Sequence, residues 1–121
     1  MYLISKEDRS LKGEINISGS KSESNRLLII RAYTSFFKII NLSDSDDTNT
    51  LISALESNDE KINIGHAGTA MRFLTSYFSS TQNSSKILTG SERMEERPIS
   101  ILVDALNSIG ADIEYIDKVG Y

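Results

Sequence analysis

The chain has 121 residues, with 13 Lys and Arg against 17 Asp and Glu, one His and no Cys. That length suits one small domain, the missing cysteines exclude disulfides, thiolate metal sites and cysteine nucleophiles, and a net charge of −4 argues against general nucleic-acid binding. No apolar run approaches the roughly 18 residues of a membrane span, and the start, MYLISKEDRS, has no signal-peptide core, so the composition points to a cytoplasmic, metal-independent protein.

Short β-branched runs alternate with segments of helical period. Strands are predicted near residues 2–5, 13–18, 38–42, 60–64, 86–89 and 112–116. The first helix, about 22–36, places Leu28, Ile29, Ala32, Tyr33, Phe36 and Phe37 on one stripe. The second, about 46–57, follows the cluster Asp44-Ser45-Asp46-Asp47, which offers an N-cap and acidic residues suited to the helix dipole. The third, about 69–80, carries Met71, Leu74, Thr75 and Phe78 at helical spacing. The fourth, about 98–109, has Pro98 at its first position, an apolar face from Ile99 to Ile109, and Gly110 as its stop. This alternation implies an α/β fold with helices against a sheet. One echo runs through it. Ile15-Asn16-Ile17 leads to Gly19 and a helix bearing Arg26, and Ile62-Asn63-Ile64 leads to Gly65, Gly68 and a helix bearing Arg72.

Three constellations carry candidate chemistry. In GSKSESNR, residues 19–26, Gly19 permits a sharp turn, Ser22 or Ser24 can cap the helix, Lys21 precedes it, and Arg26 lies one turn beyond Ser22. A hydroxyl, an ammonium and a guanidinium then meet the positive end of a helix, which makes a phosphate or carboxylate cradle. The other reading is a serine-capped helix with surface cations. A nucleotide-binding P-loop is excluded, because Ser20 separates Gly19 from Lys21 and residue 14 is Glu. In GHAGTAMR, residues 65–72, Gly65 and Gly68 flank a tight corner, Thr69 can cap the next helix, Arg72 follows one turn on, and His66 is a candidate base or simply a hydrogen-bonded turn residue. In SERMEERP, residues 91–98, Arg97 stands beside a helix N-terminus, where its charge opposes the dipole. It suits either an anion grip or a surface loop of Glu–Arg pairs.

Taken in order, GSKSESNR, NLSDSDDTNTLISAL, GHAGTAMRFL and LTGSERMEERPISILVDALNSIGADIEY resemble the 5-enolpyruvylshikimate-3-phosphate synthase family, colinearly with its N-terminal portion from about Leu11 onward. The resemblance implies transfer of the enolpyruvyl group of phosphoenolpyruvate to shikimate 3-phosphate, with release of phosphate and no metal or organic cofactor. It implies that Lys21 contacts both substrates, that Ser22 and Arg26 bind shikimate 3-phosphate, and that Gly68 and Arg97 hold phosphoenolpyruvate. Arg72, His66 and Thr69 rank below these. Two positions depart from the family pattern: His66 stands where Asn is usual, and Phe73 where Pro is common.

The acid–base carboxylates of the family lie beyond Tyr121, so the resemblance implies no catalytic proton-transfer residue within these 121 residues and no turnover by this piece alone. It also implies a truncated enolpyruvyl transferase fold of βαβαββ units, helices inside and sheets outside. Residues 1–18 would belong to a domain completed elsewhere, and residues 19–121 would form part of the other. The end, residues 117–121, reads as a turn and the start of a returning strand, cut rather than finished. Full-length members are usually monomeric, whereas unfinished edges favour self-association of such a piece. The related UDP-N-acetylglucosamine enolpyruvyl transferases have Lys-Asn in the first motif and often a cysteine before Arg-Pro, neither of which is present here. The alternative of another class is a non-catalytic small-anion-binding or interaction module derived from the family.

Overall fold

The structure is a computed structural model that describes residues 1–7 and 10–116. Five helices and two strands follow in the order α1 (Lys21–Thr34), α2 (Asp46–Glu56), β1 (Lys61–Asn63), α3 (Gly68–Ser80), β2 (Ile87–Thr89), α4 (Glu92–Glu95) and α5 (Ser100–Ser108). β1 and β2 pair in parallel, Lys61 opposite Ile87 and Asn63 opposite Thr89. Parallel neighbours need a crossover, and α3 supplies it. The ladder is extended by Ile87 N–H donating to the Glu60 carbonyl and Ile64 N–H to the Thr89 carbonyl. A two-stranded sheet has little independent stability; this one is anchored by Ile62, buried in the core that the helices share, with Leu88 packed against it.

The core gathers Leu28 from α1, Leu51 and Ala54 from α2, Ile62 and Ile64 around β1, Ala70 and Leu74 from α3, and Met94 from α4. α2 buries Thr48, Leu51 and Ala54, and α3 buries Gly68, Ala70, Leu74 and Thr75. These spacings repeat the helical period read from the sequence. α1 differs. Its buried residues are Ser24, Asn25 and Leu28, so its inner face is polar for its first turn. Phe36 and Phe37 fall beyond its end, because Ser35 takes a left-handed φ of 54° and stops the helix.

Four expected strands do not form. Segments 2–5 and 13–18 hold Leu3, Ile15 and Ile17 in solvent, so no side-chain face is buried against a neighbour that could complete a ladder. Segment 38–42 is interrupted by Asn41, whose φ of 56° is incompatible with a strand. At 112–116 the Asn107 side chain takes the place of a partner strand: its Nδ2 donates to the Ile113 carbonyl and its Oδ1 accepts from Ile113 N–H, both at 3.0 Å.

The helix ends also need correction. α1 is capped by Ser20, not by Ser22 or Ser24. The α3 cap position is Ala67, which has no side-chain oxygen, and Thr69 already lies inside the helix. Pro98 precedes the α5 cap residue Ile99 instead of opening the helix. Gly110, at a φ of 105°, follows the α5 end as expected. SERMEERP is not all loop, since Glu92–Glu95 form one helical turn that buries Met94. The returning strand expected at 117–121 lies outside the described residues.

Candidate functional site

The α1 corner is tightly built. A Cβ on Gly19 would overlap the Asn41 carbonyl oxygen, so glycine is needed there for close backbone approach, not for a positive φ. Ser20 then caps α1 by accepting from Glu23 N–H at 3.4 Å. Lys21 is the first helical residue, and its Nζ donates to Asp47 Oδ2 at 3.1 Å, in the first turn of α2. The Lys21 side chain stays 48% exposed, so an incoming anion can still reach the ammonium. Ser22 is exposed, and its carbonyl accepts from Arg26 Nη1 at 2.7 Å.

The α3 corner has the same plan. Gly65 adopts a φ of 55°, a conformation cheap only for glycine, and its N–H donates to Asn63 Oδ1 at 2.8 Å. A Cβ on Gly68 would overlap Arg97 Nη1 and would lie 3.8 Å from Arg72 Nη1. Two guanidinium groups therefore converge on the uncapped start of α3. Arg72 is held by the carbonyls of Gly68, at 3.3 Å, and Pro98, at 3.0 Å. The sequence echo extends to this detail: Arg26 and Arg72 each curl back onto the carbonyl four residues earlier, at the head of their helices.

The loop bearing Arg97 is laced to this corner. Ser91 N–H donates to the Gly65 carbonyl at 3.0 Å, and Ser91 Oγ shares a 2.8 Å hydrogen bond with His66 Nδ1. Gly90 permits the approach, because a Cβ there would come within 2.8 Å of both the Gly65 carbonyl and Met94. His66 thus joins the cluster through Ser91. Thr69 is half-buried beside it and caps nothing.

Both corners lie at one end of the molecule. Tyr33 and Ser80 share a 2.6 Å hydrogen bond, and the Tyr33 and Tyr77 rings are 5.0 Å apart, which brings the C-terminal ends of α1 and α3 together. Lys21–Asp47 and Asn25–Thr48 contacts join the starts of α1 and α2. The three helices therefore present their positive dipole ends at the same end, where Lys21, Arg26, Arg72 and Arg97 also lie. Two carboxylates there, Asp44 and Asp47, are engaged by Ser18 Oγ at 2.6 Å and by Lys21. Among the described residues no group of three or more His, Asp or Glu is placed to hold a metal ion, and no helix is long and apolar enough to cross a membrane.

Sequence reasoning missed three participants. Ser20-x-x-Glu23 is a capping-box pattern and could have located the α1 cap. Ser91 and the fully buried Asn25 left no local signal, because their partners are 25 and 23 residues away in the chain.

An α/β layer that collects glycine corners, helix N-termini and four cations at one end is chemically suited to holding small polyanions. The chain belongs to the EPSP synthase (3-phosphoshikimate 1-carboxyvinyltransferase) family, whose model matches residues 5–57 and 51–121. It is 50% identical over 121 residues to a 3-phosphoshikimate 1-carboxyvinyltransferase of Bacteroides fragilis (strain YCH46), covering 99% of this chain and 29% of that protein. Proteins of the same name from Mannheimia haemolytica and Haemophilus influenzae (strain PittEE) are 38% and 39% identical, over 92% and 93% of this chain and 32% and 33% of their own lengths. The chain thus spans about a third or less of the curated relatives it matches.

Proposed function

We propose that this chain supplies part of the substrate-binding wall of an enzyme that transfers the enolpyruvyl group of phosphoenolpyruvate to shikimate 3-phosphate and releases phosphate. The observation that carries the reading is the convergence of Arg97 and Arg72 on Gly68, at the uncapped start of a helix, within a chain of this family. Lys21, Ser22 and Arg26 are assigned to shikimate 3-phosphate. Lys21, Gly68 and Arg97 are assigned to phosphoenolpyruvate, with Arg72, His66 and Thr69 in supporting positions. The finer architecture proposed is that of an enolpyruvyl transferase built from βαβαββ units, with residues 1–18 in a domain completed elsewhere and residues 19–121 in the other. The setting proposed is the cytoplasm.

The chemistry explains the cations. Bringing two phosphorylated or carboxylated anions together costs Coulomb repulsion, which fixed positive groups in a poorly solvated cleft offset. Holding the hydroxyl of one substrate against the vinyl carbon of the other then replaces a bimolecular encounter by a positioned one. Addition to a tetrahedral intermediate and elimination of phosphate need proton donors and acceptors as well. None is assigned within these 121 residues, so the chain alone is expected to bind but not to turn over. Isothermal titration with each substrate, alongside a phosphate-release assay on the purified chain, tests both halves. Release of phosphate overturns the division of labour, and failure to bind either anion overturns the reading itself. The alternative of a non-catalytic anion-binding module predicts instead binding of simple phosphorylated anions without preference for shikimate 3-phosphate.

A further inference from the structure

Asn25 is completely buried on the inner face of α1, yet its amide is only half used. Its Oδ1 accepts from Thr48 Oγ1 at 2.8 Å, while its Nδ2 has no partner among the described residues. A buried donor left unpaired costs about 1–3 kcal/mol, and an apolar side chain of similar volume would avoid that cost. Stability alone therefore does not account for an amide at this position. Its surroundings offer another account. Thr48 Oγ1 also lies 3.0 Å from Ser45 Oγ, Ser45 N–H donates to Ser43 Oγ at 3.2 Å, and Ser43 N–H donates to Ser24 Oγ at 2.9 Å. The chain of bonds starts on α1, passes through the turn before α2, and returns to α1 beside its starting point.

This ring fixes how the two helix heads meet. Lys21 is four residues before Asn25, on the same face of α1, and Asp47 is adjacent to Thr48. The Lys21–Asp47 pair is open to water, and such a pair contributes about 0–1 kcal/mol, too little to hold a long side chain in place. A directional buried hydrogen bond resists the sliding and rotation that an apolar contact would tolerate.

We propose that Asn25 and Thr48 are positioning residues of the candidate anion cradle: their buried bond sets the register of α1 against α2, and so places the Lys21 ammonium where a small phosphorylated anion meets it. This rests on the proposed function only for the identity of the anion. The test uses the 121-residue chain and two readouts, the NMR order and chemical shift of the Lys21 ammonium without ligand, and isothermal titration with shikimate 3-phosphate. Thr48→Val removes the hydroxyl at constant shape, and Thr48→Ser restores it. Thr48→Val is expected to free the Lys21 ammonium and weaken binding about tenfold, whereas Thr48→Ser keeps both within about twofold.

A folded Thr48→Val chain with an unchanged Lys21 signal overturns the positioning role. If the unaltered chain shows an ordered Lys21 ammonium but no affinity for shikimate 3-phosphate, the functional reading fails, and the positioning role is still decided by the Lys21 signal. Should Thr48→Val not fold, Asn25→Leu breaks the same buried bond from the other side, with an apolar side chain of similar volume and no unpaired donor. An unchanged Lys21 signal in that variant overturns the proposal as well.

Discussion

Two glycines separate two kinds of constraint at the residue scale. A methyl group at Gly19 meets the Asn41 backbone carbonyl, which cannot move without shifting the chain. Gly19→Ala is therefore expected to cost about 1–3 kcal/mol in denaturant unfolding. A methyl group at Gly68 meets the far end of the Arg97 side chain, which can swing away. Gly68→Ala is expected to keep its stability within about 1 kcal/mol, since alanine is also the better helix former, while displacing the guanidinium and weakening the proposed binding of phosphoenolpyruvate. Titration and unfolding of both variants give opposite patterns if this is right. Loss of stability in Gly68→Ala without loss of affinity would place Arg97 outside the binding site. At the same scale, SERMEERP is ambiguous by sequence because Arg97 opposes the dipole of whichever helix follows. The contact with Gly68, 29 residues earlier, is invisible to any local pattern.

Helix heads, more than helix faces, organise the elements. α1 and α2 are capped by serines, Ser20 and Ser45, each accepting from the N–H three residues on at 3.4 Å. Replacing either with alanine is expected to cost about 0.5–2 kcal/mol, read from unfolding midpoints, with the larger loss at Ser45, whose Oγ also meets Thr48. α3 has no such side-chain cap, and its first N–H, that of Gly68, donates instead to the His66 carbonyl at 2.9 Å. The apolar period of α2 and α3 was legible because it repeats within each helix, and Leu51 and Leu74 are both 0% exposed. Leu74→Ala, at the centre of the helix that crosses between the two strands, is expected to cost about 2–5 kcal/mol. The polar inner face of α1 was not legible, because the partners of Asn25 and Ser24 lie on α2 and the turn before it.

At the scale of the molecule, the described residues combine a packed centre with much exposed apolar surface. Leu3, Ile4, Ile15, Ile17, Phe36 and Ile40 are each at least 80% exposed, and both strands of the sheet are edge strands. Such surfaces promote association. Sedimentation velocity over a concentration series is expected to show self-association that strengthens in sulfate, as apolar contacts do; a strictly monomeric chain at all concentrations would oppose it. The matches with relatives add a second whole-molecule feature. The M. haemolytica alignment runs over 140 positions against 92% of a 121-residue chain, so that relative carries additional residues within the matched stretch. The two stretches matched by the family model meet at residues 51–57, the end of α2. The connection from there to β1 is short, Ser57–Glu60, and beside it lies an open polar groove lined by Asp46, Asn49, Ser53 and Lys61.

The sequence by itself determined the class of the fold, the presence and period of four helices, and the order of motifs that marks the family. These are local signals, carried by residues within a few positions of one another. It could not determine which β-branched runs become strands, since a strand exists only where another backbone completes its hydrogen bonds, and segments 2–5, 13–18, 38–42 and 112–116 have no such ladder here. The tertiary structure alone decided that α1, α2 and α3 start at one end, that Arg97 lies over Gly68, and that Asn25 ties two helix heads together. Each depends on contacts between residues 23 or more positions apart, whose energies no local pattern contains.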